Sequence, residues 1–215
     1  MRAYVSLWSA DLLAVGRAVE LVESDADGFH IDVFDGVDVR HLLFGPDFVA
    51  ALRRRTSVLI DVHLNVVDPG YWARRFIDVG AGMITVHRAA AADIHTILDE
   101  IAQAGARPAV GLDLIEPAGS VEDLIEEVDR VLVMGTELGV KGVDLDERTF
   151  DKVRELKRMR DRSVRRPELV VDGGIRETTI PALAAAGADG VVPGSVVFGA
   201  ADPASTVRWI HNQTP

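Results

Sequence analysis

Two pairs of ionisable residues stand two positions apart in apolar surroundings. His30 and Asp32 lie in Phe29-His30-Ile31-Asp32-Val33-Phe34, and Asp61 and His63 in Ile60-Asp61-Val62-His63-Leu64. A further carboxylate, Asp172, ends Leu169-Val170-Val171-Asp172 immediately before Gly173-Gly174. Residues i and i+2 of a β-strand point to the same face, so each pair offers its two side chains together. Imidazoles and carboxylates are ligands for Zn²⁺, Mn²⁺ or Fe²⁺, and positioned carboxylates take and return protons. Metal-assisted proton transfer is therefore the chemistry that these residue types allow. Val192-Pro193-Gly194-Ser195 is a second feature, because Gly194 and Ser195 can bare backbone N–H groups at a helix start, where an anion is favoured. Gly173-Gly174 offers a matching turn. The plainer alternatives are buried polar groups that only bond one another, and glycines that only make tight turns.

The elements that must position these residues alternate regularly. Apolar runs at 3–8, 29–34, 58–64, 83–87, 108–114, 131–134, 169–172 and 190–193 read as strands. Helix-period segments lie between them: Leu12, Val15, Val19 and Val22 share one face, as do Ile94, Ile97 and Ile101. Further helices are expected from near Pro46, Tyr71, Ser120, Thr149, Glu177 and Pro203, with caps at Asp68-Pro69, Ser120 and Asp202-Pro203. Eight strands and eight helices in 215 residues, about 27 per pair, is the arithmetic of a single α/β domain over residues 1–215, a (β/α)₈ TIM barrel. An open doubly wound sheet is disfavoured by the even count and by the missing Gly-rich turn after the first strand. Active sites of such barrels sit at the carboxyl ends of the strands, with phosphate held after the seventh and eighth. His30, Asp32, His63 and Asp172 are thus expected to converge on one divalent cation.

Composition removes other classes. Lys+Arg 23 against Asp+Glu 34 gives a net charge of −11, the opposite of a nucleic-acid footprint. There is no cysteine, so disulfides and thiolate chemistry are excluded. No run approaches the roughly 18 apolar residues of a spanning helix, and the N-terminus has no signal-peptide pattern. The expectation is a cytoplasmic protein with no membrane or nucleic-acid partner. The basic stretch Lys152, Arg154, Lys157, Arg158, Arg160, Arg162, Arg165 and Arg166 is interleaved with Asp151, Glu155 and Asp161, which reads as a solvated helix face.

Over nearly its whole length the chain resembles the ribulose-phosphate 3-epimerases. The resemblance is carried by Ser6-Leu7-Trp8-Ser9-Ala10-Asp11, His30-Ile31-Asp32-Val33-Phe34-Asp35-Gly36, Phe44-Gly45-Pro46 and Asp61-Val62-His63-Leu64. Thr85-Val86-His87, Val171-Asp172-Gly173-Gly174 and the stretch from Gly187-Ala188-Asp189 to Gly194-Ser195 complete it. It implies a metal held by His30, Asp32, His63 and Asp172, with Asp32 and Asp172 also acting as the catalytic acid/base pair. It implies sugar contacts from Ser6 and His63, and phosphate contacts from Gly173, Gly174, Gly194 and Ser195. It further implies a homo-oligomer and no organic cofactor. The reaction, inversion at C3 of a 2-ketose, removes a proton beside a carbonyl. The resulting enediolate carries charge that a divalent cation offsets by roughly several kcal/mol.

The departures from the family pattern fall in loops that face the substrate. Where the family has Asn-Pro-Gly-Phe-Gly-Gly after the sixth strand, this chain has Glu137-Leu138-Gly139-Val140-Lys141-Gly142. Gly139 and Gly142 survive, and Lys141 is a candidate point charge for the phosphate. Phe34 and Asn65 replace methionines of the pocket lining, Met134 is kept, and His87 is read as a satisfied barrel histidine rather than a ligand. The leading reading is 3-epimerisation of D-ribulose 5-phosphate to D-xylulose 5-phosphate. The alternatives are the same chemistry on a hexulose 6-phosphate or a free ketose, and a silent sugar-phosphate-binding barrel. The decarboxylase and aldolase branch carries Asp-x-Lys-x-x-Asp at the third strand, and that lysine is absent here.

Overall fold

The computed structural model describes residues 1–37, 39–91 and 93–214. Among them, eight parallel strands close into a barrel: β1 (Arg2–Ser6), β2 (Gly28–Asp35), β3 (Leu59–Asn65), β4 (Met83–His87), β5 (Arg107–Leu112), β6 (Arg130–Met134), β7 (Glu168–Asp172) and β8 (Gly190–Val192). Each pairs with the next, and β1 closes the ring by pairing with both β2 and β8. The register sets Ser6 beside His30, His30 beside Asp61, and Asp32 beside His63. A short antiparallel addition, Leu42–Leu43, pairs with the end of β2, which the sequence pattern does not announce.

The helices are α1 (Val15–Val22), α2 (Pro46–Arg53), α3 (Pro69–Asp78), α4 (Ile94–Gln103), α5 (Arg148–Arg160), α6 (Ile180–Ala186), α7 (Ser195–Phe198) and α8 (Pro203–His211). The expected caps at Asp68 and Asp202 form, accepting from Tyr71 N and Ser205 N at 3.0 Å each, and Asp93 caps α4 in the same way. Two expectations fail locally. Leu12 is half-exposed outside α1, because the Asp11 carboxylate accepts from Leu13 N at 3.0 Å and holds a turn there. The element around Ser120 is a 3₁₀ helix, Ala118–Leu124, rather than an α-helix. Ser120 caps nothing and instead donates its hydroxyl to Pro117 O at 2.8 Å.

Strand alternation splits the core in two. One face of the strands, including Val5, Phe29, Ile31, Ile60, Val62, Leu64 and Val171, packs under the helices in one large cluster. The other face looks into the barrel, where a small separate cluster of Tyr4, Leu132, Met134, Val170 and Val192 fills part of the space. The rest of the interior is taken by buried polar groups, among them His30, Asp32, Asp61, His63, His87 and Arg130. Part of the basic stretch is paired, with Arg154 on Asp151 and Lys157 on Asp161, both at 2.6 Å. Lys152 departs from the expected solvated face: it is buried, and its ammonium donates to Asp113 O and Leu114 O. No helix among the described residues is long and apolar enough to cross a membrane.

Ile60 is fully buried between sheet and helices. Its truncation in Ile60→Ala is expected to remove about 2–5 kcal/mol of stability, read as a lowered urea midpoint with an unchanged slope.

Candidate active site

At the carboxyl ends of the strands, one nitrogen or oxygen from each of His30, Asp32, His63 and Asp172 lies within 4.8 Å of all the others. His30 Nε2 stands 3.5 Å from both Asp32 Oδ1 and Asp172 Oδ2. His63 Nδ1 is 3.1 Å from Asp32 Oδ1 and 3.7 Å from Asp172 Oδ2. The strands deliver all four side chains without help from loops, since Asp32 follows His30 by two residues and pairs in register with His63.

The far nitrogen of each ring has its own partner. His30 Nδ1 lies 2.9 Å from Asp61 Oδ2, and a carboxylate there requires the Nδ1–H tautomer. His63 Nε2 lies 2.6 Å from His87 Nε2, and His87 Nδ1 in turn is 2.8 Å from Asp113 Oδ1, off the hydrogen-bond line. With these partners assigned, His30 turns Nε2 and His63 turns Nδ1 toward the two aspartates.

The donor set fits a divalent cation. His30 is completely buried, and among the described residues its Nε2 has no hydrogen-bond partner although it faces two carboxylates. Two imidazole nitrogens and two carboxylate oxygens are a borderline set suited to Zn²⁺, Mn²⁺ or Fe²⁺. Charge in the ion-free cluster is correspondingly tense. Burial opposes protonation of His30, but Asp61 and Asp32 outweigh it and hold the imidazole well above its ordinary pKa of 6.5. Burial pushes the His63 imidazole below its ordinary value, against the Asp32 hydrogen bond. Burial would raise Asp32, yet His30 and His63 hold its carboxyl well below the usual range.

A cavity of about 290 Å³ opens over the cluster. It is lined by Ser6, Asp32, His63 and Asp172, and also by Gly139, Lys141, Gly142, Gly173, Gly174, Gly194 and Ser195. All the expected substrate-side residues therefore share one cavity, with His30 buried behind them. Gly173 and Gly174 have φ of +92° and +67°, and a Cβ on Gly174 would collide with the Leu145 backbone, so the turn after β7 requires glycine. Ser6 Oγ lies 3.5 Å from Asp32 Oδ2. Lys141 donates its ammonium to Trp8 O at 2.7 Å and sits 4.4 Å from the Trp8 ring centroid. Burial lowers its pKa against the pull of Asp32. Arg176 is a lining residue that the motifs did not single out, and its guanidinium donates to Val143 O and Ile175 O at 3.2 Å each.

If His30 is a ligand, a cation entering the cluster displaces its proton. Below the raised folded pKa, one proton leaves His30 per ion bound, so affinity rises with pH. Titration calorimetry with Zn²⁺ is expected to show an affinity that rises from pH 6 to pH 7, with proton release to the buffer on binding. A flat profile would show that His30 is no ligand.

Residues 3–198 match the family model described as the ribulose-phosphate 3 epimerase family. Ribulose-phosphate 3-epimerase of Bacillus subtilis (strain 168) is 35% identical over 208 residues, covering 96% of each chain. The Rhodobacter capsulatus ribulose-phosphate 3-epimerase is 37% identical over 195 residues, covering 90% of this chain and 84% of that one. A solved structure of a 3-hexulose-6-phosphate synthase covers all of both chains with a TM-score of 0.73 at 20% identity, which is likeness of fold. With the His/Asp cluster at the mouth of its closed barrel, this chain belongs to the ribulose-phosphate 3-epimerase family, a family of isomerases.

Proposed function

We propose that the protein is a metal-dependent 3-epimerase that interconverts D-ribulose 5-phosphate and D-xylulose 5-phosphate. The observation that carries this reading is the placement of Asp32 and Asp172, each 3.5 Å from His30 Nε2, in a cavity rimmed by glycine turns. One carboxylate takes the C3 proton from one face of the ketose, and the other delivers a proton from the opposite face. His30, Asp32, His63 and Asp172 hold the cation. When bound, a divalent cation supplies positive charge against the oxygens that become negative as the proton leaves. Ser6 and His63 orient the sugar hydroxyls. The backbone of Gly173, Gly174, Gly194 and Ser195 receives the phosphate, as the family resemblance implies. Lys141 adds a mobile cation from the loop after β6, once it leaves Trp8 O.

Exchange with D₂O tests this reading, followed by NMR with added Zn²⁺ or Mn²⁺. Ribulose 5-phosphate, a ketohexose 6-phosphate and a free ketose are offered in parallel. Deuterium is expected at C3 of the pentulose phosphate, slowed on the order of 100- to 10,000-fold in Asp172→Asn. Exchange confined to another sugar would move the substrate assignment, and no exchange in the metal-loaded protein would leave a binding barrel. Lys141→Ala is expected to raise KM for the phosphorylated ketose about tenfold while leaving kcat within a factor of about two.

A further inference from the structure

Below the metal cluster, the barrel interior holds a second constellation of charge. Arg130 opens β6, the Asp61 that bonds His30 lies within β3, and Glu168 opens β7. The Arg130 side chain is completely buried. Its Nη1 donates to Asp61 Oδ2 at 2.5 Å, and its Nη2 and Nε donate to Glu168 Oε2 at 2.8 and 3.0 Å. The guanidinium carbon lies 3.7 Å from the centroid of the Tyr4 ring, and the Tyr4 hydroxyl closes the network on Glu168 at 2.8 Å.

We propose that Arg130, fixed in place by Glu168 and Tyr4, is a positioning residue for the metal centre, acting through Asp61 to lock His30 with Nε2 facing Asp32 and Asp172. The proposal rests on the metal-site reading above. Asp61 Oδ2 receives both His30 Nδ1 and Arg130 Nη1, while Asp61 Oδ1 has no partner. One oxygen is thus held from two sides, and the Arg130 bond is what keeps the carboxylate from turning about its own axis. Without it, no other hydrogen bond among the described residues fixes the oxygen that His30 must donate to.

A purely structural role explains the arrangement less well. Leu132 and Met134 follow Arg130 on the same face of β6, and with Val170 they form an apolar patch inside the barrel. Barrel interiors are ordinarily filled by such apolar layers. Exchanging a buried ion network for hydrophobic residues of similar volume is often neutral or stabilising. Filling space alone therefore gives no reason for an arginine here, whereas orienting a ligand imidazole through its far nitrogen does.

The test compares wild type with Arg130→Met, Arg130→Lys and Glu168→Gln. Zn²⁺ affinity of the ion-free proteins is measured by calorimetry, exchange of the His30 Nδ1–H proton by NMR in the zinc-loaded form, and folding by thermal unfolding. Arg130→Met and Glu168→Gln are expected to weaken Zn²⁺ binding on the order of 10- to 100-fold. They are also expected to speed exchange of the His30 Nδ1–H proton, and Arg130→Lys to recover part of both. Folded variants with wild-type affinity and wild-type exchange would overturn the proposal and leave Arg130 as packing. If Arg130→Met does not fold, Glu168→Gln, which keeps the size of the side chain it replaces, decides in the same terms. A wild-type protein that takes up no Zn²⁺, Mn²⁺ or Fe²⁺ would sink the metal reading itself, and this proposal with it. That outcome is separate from one in which only the variants behave like wild type.

Discussion

Closure of the parallel sheet is the constraint on which the rest of this molecule turns. Once β1 pairs with both β2 and β8, the barrel has no free edge, and every second strand residue is committed to a closed interior. The outward residues, Phe29, Ile31 and Val33 of β2 and Ile60, Val62 and Leu64 of β3, need no chemistry beyond packing and lie in the large cluster under the helices. The inward set is different in kind. His30 and Asp32 from β2 meet Asp61 and His63 from β3 in register, so two strands alone bring four ionisable groups into contact.

Groups so placed have lost water and must satisfy one another. Asp61 is completely buried, yet Arg130 and His30 outweigh the burial and hold its carboxyl down to about 2. The two histidines of the metal cluster solve the same problem by opposite means. His30 leans on a carboxylate through Nδ1, and His63 leans on another imidazole through Nε2. Gly111 belongs to the second solution, because a Cβ there would come within 2.8 Å of the His87 ring. Ligands carried on strands and braced from behind are held more rigidly than ligands on loops. Of the two histidines, His30 is the one whose inward nitrogen, Nε2, has no hydrogen-bond partner among the described residues while it faces two carboxylates.

Much of this was legible in the sequence, and the reason is periodicity. A period of two within apolar runs marks His30 with Asp32, and Asp61 with His63, as same-face pairs, and the count of alternating runs marks the barrel that brings Asp172 to them. The bracing residues were not legible for the same reason. Runs bounded by apolar residues begin at Val131 and Leu169, so Arg130 and Glu168, which open β6 and β7, fall just outside them. Only parity counted back from Met134 and Asp172 would have pointed both inward. Helix ends were read well where an aspartate precedes proline, as at Asp68 and Asp202, because the cap is local. Around Leu12 and Ser120 the apolar spacing was helical, but short side-chain hydrogen bonds won the backbone over to a turn and a 3₁₀ segment.

Under the proposed function, the division between strand and loop also separates reaction from recognition. Asp32, Asp172 and the histidines sit on strands, whereas Lys141 and Gly139 belong to the rewritten loop after β6 that reaches across the cavity mouth to Trp8 and Val39. Charge ties the two parts together. The cavity is lined by the carboxylates of Asp32, Glu137 and Asp172, against the cations of Lys141 and Arg176. The lining alone thus carries one more acidic than basic side chain, and in the ion-free cluster the His30 imidazolium behind it offsets the difference. Under the proposed function, a divalent cation replacing the His30 proton would add one net positive charge beside the carboxylates. Lys141 and Arg176, which here donate to backbone carbonyls, would be the side-chain cations of the lining left to face the proposed phosphate. Under the proposed function, the cluster would then serve more than the proton transfer: the cation it holds would also set the field that an anionic sugar meets.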